Sequence, residues 1–257
     1  MMGTEESAIE RERRLAWEGC LNARDVGGYA AGAGGVTRWA AVVRSDSPAL
    51  LTRSGQEALA AYGIRTAIDL RFPHELDAAP SPFSDPAHPI AYVHVSLLDP
   101  DAQAVPGETL AQEYVRWIDR FAPAIGRVVA AVARAEEGGV LIHCAGGRDR
   151  TGVVAALLLS LVGVPAEVVA DDYARSSELL RPRDAEFLAN GPGTRREREA
   201  ALARGETRAE VMREVLDHLE ARHGGVEAYL LAAGVGPDDL VRLRGRLRAP
   251  RQETGSG

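Results

Sequence analysis

One stretch restricts the architecture more than any other: Gly139-Val140-Leu141-Ile142-His143-Cys144-Ala145-Gly146-Gly147-Arg148-Asp149-Arg150-Thr151-Gly152, followed by the apolar run 153–164. Val140, Leu141 and Ile142 are apolar and largely β-branched, so they predict a short buried strand. Gly146, Gly147 and Gly152 let the backbone behind it turn sharply, and the run after them predicts a helix. A loop that opens a helix in this way aims its N–H groups and the positive end of the helix dipole at one spot. An oxyanion belongs there.

Two side chains give this anion site a chemistry. A helix N-terminus and neighbouring cations favour the thiolate form of a cysteine, which makes Cys144 the expected nucleophile. Arg150 carries a planar fork that can hold two phosphate oxygens, and it grips them better as the group flattens in the transition state. Thr151 can donate its hydroxyl to the sulfur, and the backbone of Ala145, Gly146, Gly147, Arg148, Asp149 and Arg150 is expected to form the phosphate cradle. A merely packed cysteine ahead of a core helix is the alternative. Against it, nucleophile, glycines, arginine and threonine coincide between a strand and a helix, the context this chemistry requires.

The rest of the chain is sized for one domain. At 257 residues with 46% hydrophobic content it can bury a single core. The formal net charge of −7 argues against nucleic acid or a stable membrane surface as the main partner, so any attraction for a phosphorylated substrate has to be local. No lysine occurs; all 30 Lys-or-Arg positions are arginine, which dilutes the meaning of any single one. Cys20 and Cys144 make neither a disulfide framework nor a metal spacing, so a reducing cytoplasmic compartment fits and Cys20 reads as a packed thiol; Arg150 and the backbone N–H groups supply the positive charge the chemistry needs, so no metal and no cofactor is expected. Residues 1–14 are charged and lack an apolar signal core, while 153–164 is too short to span a bilayer.

Along the chain, a polar arm over 1–14 precedes two extended stretches, 17–29 and 36–46. The glycine-rich segment 31–35 between them reads as a hairpin turn rather than a nucleotide loop, because no helix pattern follows it. Ser54-Gly55-Gln56-Glu57 has capping-box spacing and predicts a helix to Tyr62 that Gly63 stops. A strand is predicted over 64–70, a proline-rich loop over 73–89 and another strand over 91–95. Residues 109–121 and 124–135 have helical periodicity, with Tyr114, Trp117, Ile118 and Phe121 on one side as core. Strands alternating with helices predict an α/β fold, with a mainly parallel central sheet flanked by helices and the reactive loop at the carboxyl end of a central strand. Beyond Pro165 the chain reads as helical over 166–174, 177–188, 208–222, 226–232 and 238–247, with a polar, mobile segment over 190–207. Residues 165–223 are expected to be a helical, lid-like elaboration of the single domain, and 249–257 a disordered tail.

The Cys-x5-Arg-Thr-Gly pattern resembles the cysteine-dependent protein tyrosine phosphatase superfamily. Taken with Asn22-x-Arg24-Asp25-x-Gly27-Gly28-Tyr29, Arg44-Ser45-Asp46, Ile68-Asp69-Leu70-Arg71 followed by Glu75, Asp172-Tyr173-Ala174 and residues 225–230, the chain is similar from about 17 to 247 to the bacterial atypical tyrosine phosphatases. These have dual or triple specificity, acting on phosphotyrosine, phosphoserine or phosphothreonine, and phosphoinositides. The resemblance implies a phosphatase-like α/β fold and no metal. It also implies a general acid within the loop at Asp149, since this family lacks the separate acid-bearing loop of eukaryotic tyrosine phosphatases and no Trp-Pro-Asp occurs here. Asp69, ending a strand, is the competing carboxylate, either catalytic or an ion-pair partner for Arg71 or Arg150; Asp149 as acid and Asp69 as orienting partner is favoured. The family usually has lysine where this chain has Arg148, and in related lipid phosphatases a basic residue there contacts further phosphates on the ring. His143 is expected to fix the loop and bias Cys144, with Arg71 in support. Asn22, Arg24 and Asp25 either brace the loop or fold the first hairpin.

The reaction this implies is phosphomonoester hydrolysis through a phosphocysteine, with a phosphorylated protein as substrate. A metabolic phosphatase acting on a small phosphorylated molecule is the alternative, and a non-catalytic phosphate-binding module the third reading. Oligomeric state stays open.

Overall fold

A computed structural model of the chain describes residues 13–99 and 105–250. Most of the expected polar arm and of the expected tail lies outside the described residues. Among those described, eight strands occur: β1 (Arg24–Asp25), β2 (Ala30–Ala31), β3 (Gly35–Thr37), β4 (Val42–Ser45), β5 (Ile64–Asp69), β6 (Ala91–His94), β7 (Gly139–His143) and β8 (Arg248–Pro250). The main sheet has the order β1-β4-β7-β5-β6, parallel throughout except for β1. A smaller antiparallel sheet, β2-β3-β8, contains the glycine-rich hairpin, and it places Ala249 and Pro250 in a strand.

Alternation along the strands fills two cores. Val42, Val140, Ile142 and Ile68 belong to one, and Val43, Leu141, Ile64 and Ala67 to the other. Strand β7 is buried over its whole length, as expected for a parallel strand covered on both faces. The register aligns Ser45 and Asp69 on either side of His143, so the carboxyl edge of the sheet gathers polar residues directly beneath the loop.

The helices are α1 (Arg53–Ala61), α2 (Pro73–Ala78), α3 (Leu110–Arg120), α4 (Ala122–Arg134), α5 (Arg150–Leu161), α6 (Ala166–Leu179), α7 (Arg181–Asn190), α8 (Arg195–Arg204), α9 (Ala209–His223), α10 (Val226–Ala232) and α11 (Pro237–Leu247). Helix α5 is apolar all round and buried from Thr151 to Leu159, so it runs through the interior. Among the described residues no helix is long and apolar enough to cross a membrane.

Three local expectations are corrected. The cap of α1 is Thr52, whose Oγ1 accepts from Gly55 N–H at 3.2 Å, not Ser54. The proline-rich segment expected as loop begins with α2, because Pro73 sits at the first turn, where its missing N–H is no loss, and Glu75 accepts from Phe72 N–H at 2.7 Å. The polar segment 190–207 contains α8, started by a capping box in which Thr194 N–H donates to Glu197 at 2.7 Å. None of α8 is buried, so no apolar period marks it in the sequence.

Candidate active site

Cys144 follows β7 at the centre of the sheet's carboxyl edge and is 2% exposed. The loop behind it is held by its carbonyl groups. Ala145 C=O accepts from Ser47 N–H (3.0 Å), Gly146 C=O from Asn22 Nδ2 (2.9 Å) and Gly147 C=O from Arg44 (3.0 Å). With these carbonyls engaged, the peptide planes of the loop are fixed, and the intervening N–H groups can serve an anion beside the start of α5, where the helix dipole adds to them. Gly147 adopts φ +64°, and a Cβ there would lie 2.3 Å from the backbone of Ser45, so glycine is required on both counts. Gly152 is needed for packing instead: it is helical, and a Cβ would come within 2.9 Å of the Tyr173 ring. A Cβ on Gly146 would meet nothing closer than 3.8 Å.

The brace behind the loop is ionic and buried. Asp172 on α6 pairs with Arg24 at 3.0 Å and Arg44 at 2.5 Å, and all three side chains are at most 3% exposed. Arg24 also donates to Asn22 and Ser176, and Tyr29 OH donates to Asp172 at 3.1 Å. Burial alone would raise the Asp172 carboxyl, but the two guanidinium groups override it and hold it down at about 2. Asn22 and Arg24 therefore lie in the brace. Asp25 does not: it accepts from Gly27 N–H, Ala40 N–H and Tyr62 OH, and so folds the first hairpin.

Arg150 reaches forward over the Phe72 ring, 4.8 Å from its centroid, and its two terminal nitrogens donate to Glu75 at 2.6 and 2.9 Å. Burial opposes its charge, while the bonds to Glu75 and the sulfur of Cys144 favour it, and the balance raises its pKa. Glu75 thus fixes one side of the fork and leaves the Nε edge for an oxyanion.

The two competing carboxylates have different surroundings. Asp69 is fully buried and is engaged by Arg71 Nε and Nη2 (3.0 and 2.7 Å), Arg71 N–H (3.0 Å) and Tyr92 OH (3.0 Å). Burial raises its pKa, but the Arg71 bonds and His143 lower it further, so the net direction is down. Asp149 is only partly buried; its Oδ1 accepts from Tyr114 OH, which lies 3.0 Å from Tyr173 OH. Burial and then the Asp149 charge push Tyr114 well up, so this hydroxyl remains a donor.

His143 is fully buried, with Nε2 3.6 Å from Asp69 and without a hydrogen-bond partner. Burial drives its pKa down to about 4, which keeps it neutral at neutral pH. Thr151 Oγ1 is likewise buried and unpartnered. Arg148 is engaged by the helices beyond the loop, donating to Asp184 on α7 (2.9 Å) and to Gly205 C=O (3.1 Å). Cys20 is a buried thiol held protonated first by burial and then by Asp46.

Arg44, Asp46, Glu75 and Asp172 enter the sequence reading only as motif residues without a role, Tyr114 only as core, and Arg183, which donates to Ala145 C=O and Asp46, not at all. Asp172 carried a signal, since it lies three residues after buried Val169 on α6 and a carboxylate at a core position needs a buried cation. Tyr114 carried none, because its ring satisfies the core period while only its hydroxyl serves Asp149.

Residues 15–249 match the tyrosine phosphatase family as a whole. A tyrosine-protein phosphatase of Nostoc commune is 32% identical over 218 residues, which cover 80% of this chain and 74% of that protein. The triple specificity protein phosphatase PtpB of Mycobacterium tuberculosis is 34% identical over 135 residues, 48% of each chain. A buried cysteine at the end of a central parallel strand, a glycine-bearing loop braced from behind and this match over nearly the whole chain stand together, and the match shows the family: the protein belongs to the tyrosine phosphatase family and is a phosphoric monoester hydrolase.

Proposed function

We propose that the enzyme hydrolyses phosphotyrosine through a covalent phosphocysteine at Cys144, with phosphoserine, phosphothreonine or phosphoinositides as further substrates. The observation that carries this reading is the set of three loop carbonyls drawn outward by Ser47, Asn22 and Arg44 behind a buried cysteine. That arrangement is a preorganised cradle for an oxyanion next to a nucleophile.

The Cys144 sulfur attacks phosphorus in line with the ester oxygen; the S–P bond forms, the P–O bond breaks, and Asp149 gives its proton to the departing oxygen. Water then attacks the phosphocysteine, Asp149 takes the proton, and phosphate leaves with the thiolate restored. Arg150 and the loop N–H groups hold the equatorial oxygens, and the unpartnered hydroxyl of Thr151 is free to donate to the sulfur as it leaves. Asp69, spent on Arg71 and Tyr92, serves as a positioning residue.

Residues 165–223 act as a cover. Support comes from Arg183 on α7, which donates to Ala145 C=O (3.3 Å) and Asp46 (2.6 Å), and from the Arg148 bonds to Asp184 and Gly205. If deletion of residues 191–207 left turnover of every phosphorylated substrate unchanged, the cover would have no role.

The test of the activity is kcat/KM for the protein and for Cys144→Ser on phosphotyrosine and phosphoserine peptides, phosphoinositides, nucleoside monophosphates and sugar phosphates. A preference for phosphotyrosine peptides that is lost in Cys144→Ser is expected. A preference for one soluble metabolite would overturn the protein-phosphatase reading.

A further inference from the structure

The C-terminal ends of α3 and α9 meet at a second cluster of chemically capable side chains. Asp119 lies next to the last residue of α3, and His218 and His223 lie in the final turns of α9. The Nε2 atoms of both imidazoles are 3.0 Å from the same Asp119 oxygen, Oδ1, and all three atoms lie within 4.8 Å of one another. Nothing in the hydrolysis uses them.

The cluster is built rather than incidental. Five residues is not a same-face spacing on a regular helix. Here the pair converges where α9 ends and Gly224, at φ +74°, turns the chain away. The His223 ring packs edge-on against Tyr229 of α10 at 5.1 Å, and Tyr229 OH donates to the carbonyl of Ile118, the residue before Asp119, at 3.0 Å. Three helices thus set the positions of the three ligands.

We propose that Asp119, His218 and His223 form a binding site for one divalent first-row transition cation of the zinc type. Two imidazoles and a carboxylate suit such ions, whereas magnesium and calcium take all-oxygen sets. Metal–nitrogen and metal–oxygen bonds of about 2.0–2.2 Å in tetrahedral geometry put neighbouring ligand atoms roughly 3.3 Å apart, so the observed 3.0 Å contacts need only a slight opening. The histidines are 22% and 23% exposed and the aspartate 43%, which leaves a fourth position to water. The bound cation clamps α3, whose Tyr114 contacts Asp149, to α9, and it adds no step to the reaction.

The experiment uses the full chain carrying Cys144→Ser, so that the reactive sulfur is not a competing ligand. After chelator treatment and dialysis the protein is titrated with Co2+, read by visible absorption, and with Zn2+, read by calorimetry and by Tm. The same is done with Asp119→Asn, His218→Ala and His223→Ala added singly, each checked for folding by circular dichroism. One cation per chain, a Zn2+-dependent rise in Tm, and affinity reduced about tenfold or more in every variant are expected. Absence of binding, or an affinity that the three substitutions leave unchanged, overturns the site.

Discussion

Replacing Tyr114 by Phe removes one hydroxyl and keeps the ring, which packs 4.8 Å from Trp117 in a fully buried position. The lost group is the donor to Asp149 Oδ1 and the neighbour, at 3.0 Å, of Tyr173 OH. A hydrogen bond to a charged group contributes roughly 1.5–3 kcal/mol, so if that interaction orients Asp149 in the transition state, kcat falls by about tenfold to 150-fold. Leaving-group dependence separates positioning from mere stability. An alkoxide needs the proton more than an activated phenolate does, so the loss should be largest on an alkyl phosphate and should shrink along a series of aryl phosphates of falling phenol pKa. KM should hardly move. The Tyr173 hydroxyl, buried and short of a partner, lowers stability by about 1–3 kcal/mol, which thermal unfolding measures separately. An equal loss across the series, or an unchanged kcat with a lowered Tm, would refute the reasoning.

Asp172→Asn leaves two buried guanidinium groups facing a neutral amide, and urea unfolding at neutral pH should show a loss of about 3–5 kcal/mol; a loss below about 1 kcal/mol would contradict the brace. His143 is held at about 4 in the fold against 6.5 for the free side chain, so the unfolded chain binds the extra proton first and stability drops as pH falls from about 6.5 to 4. The size is about 3 kcal/mol from roughly 1.36 kcal/mol per unit, and His143→Gln should flatten that window in pH-dependent denaturation. Asp172, lowered from 3.8 to about 2, extends the loss below pH 4. Glu75→Ala frees the fork of Arg150 and should lower kcat/KM by about tenfold to a hundredfold, with partial recovery in Glu75→Gln, which keeps one acceptor.

How much of this was legible in the sequence follows from how local each feature is. The strand, turn and helix around Cys144 are consecutive, with a glycine- and arginine-bearing turn between two strongly apolar runs, so the local order of residues located the loop and its place at the sheet's edge. The acid candidates were legible as residue types, but only the fold shows Asp69 saturated by Arg71 and Tyr92 while Asp149 faces a tyrosine. The brace was hidden because Arg24, Arg44 and Asp172 are far apart in the chain and meet only when α6 packs under the loop. Helix α8 was missed for the opposite reason: a cap, the Arg195–Glu199 pair and the Arg198 bonds to nearby carbonyls hold it on an exposed surface, which leaves no apolar period to read.

Rapid acid quench during turnover of a phosphotyrosine peptide, followed by mass mapping of the protein, tests the central claim most directly. A phosphoryl group on Cys144 that appears before steady state and is absent in Cys144→Ser is predicted. Turnover with no adduct on that cysteine, or with the adduct on another residue, would contradict the account.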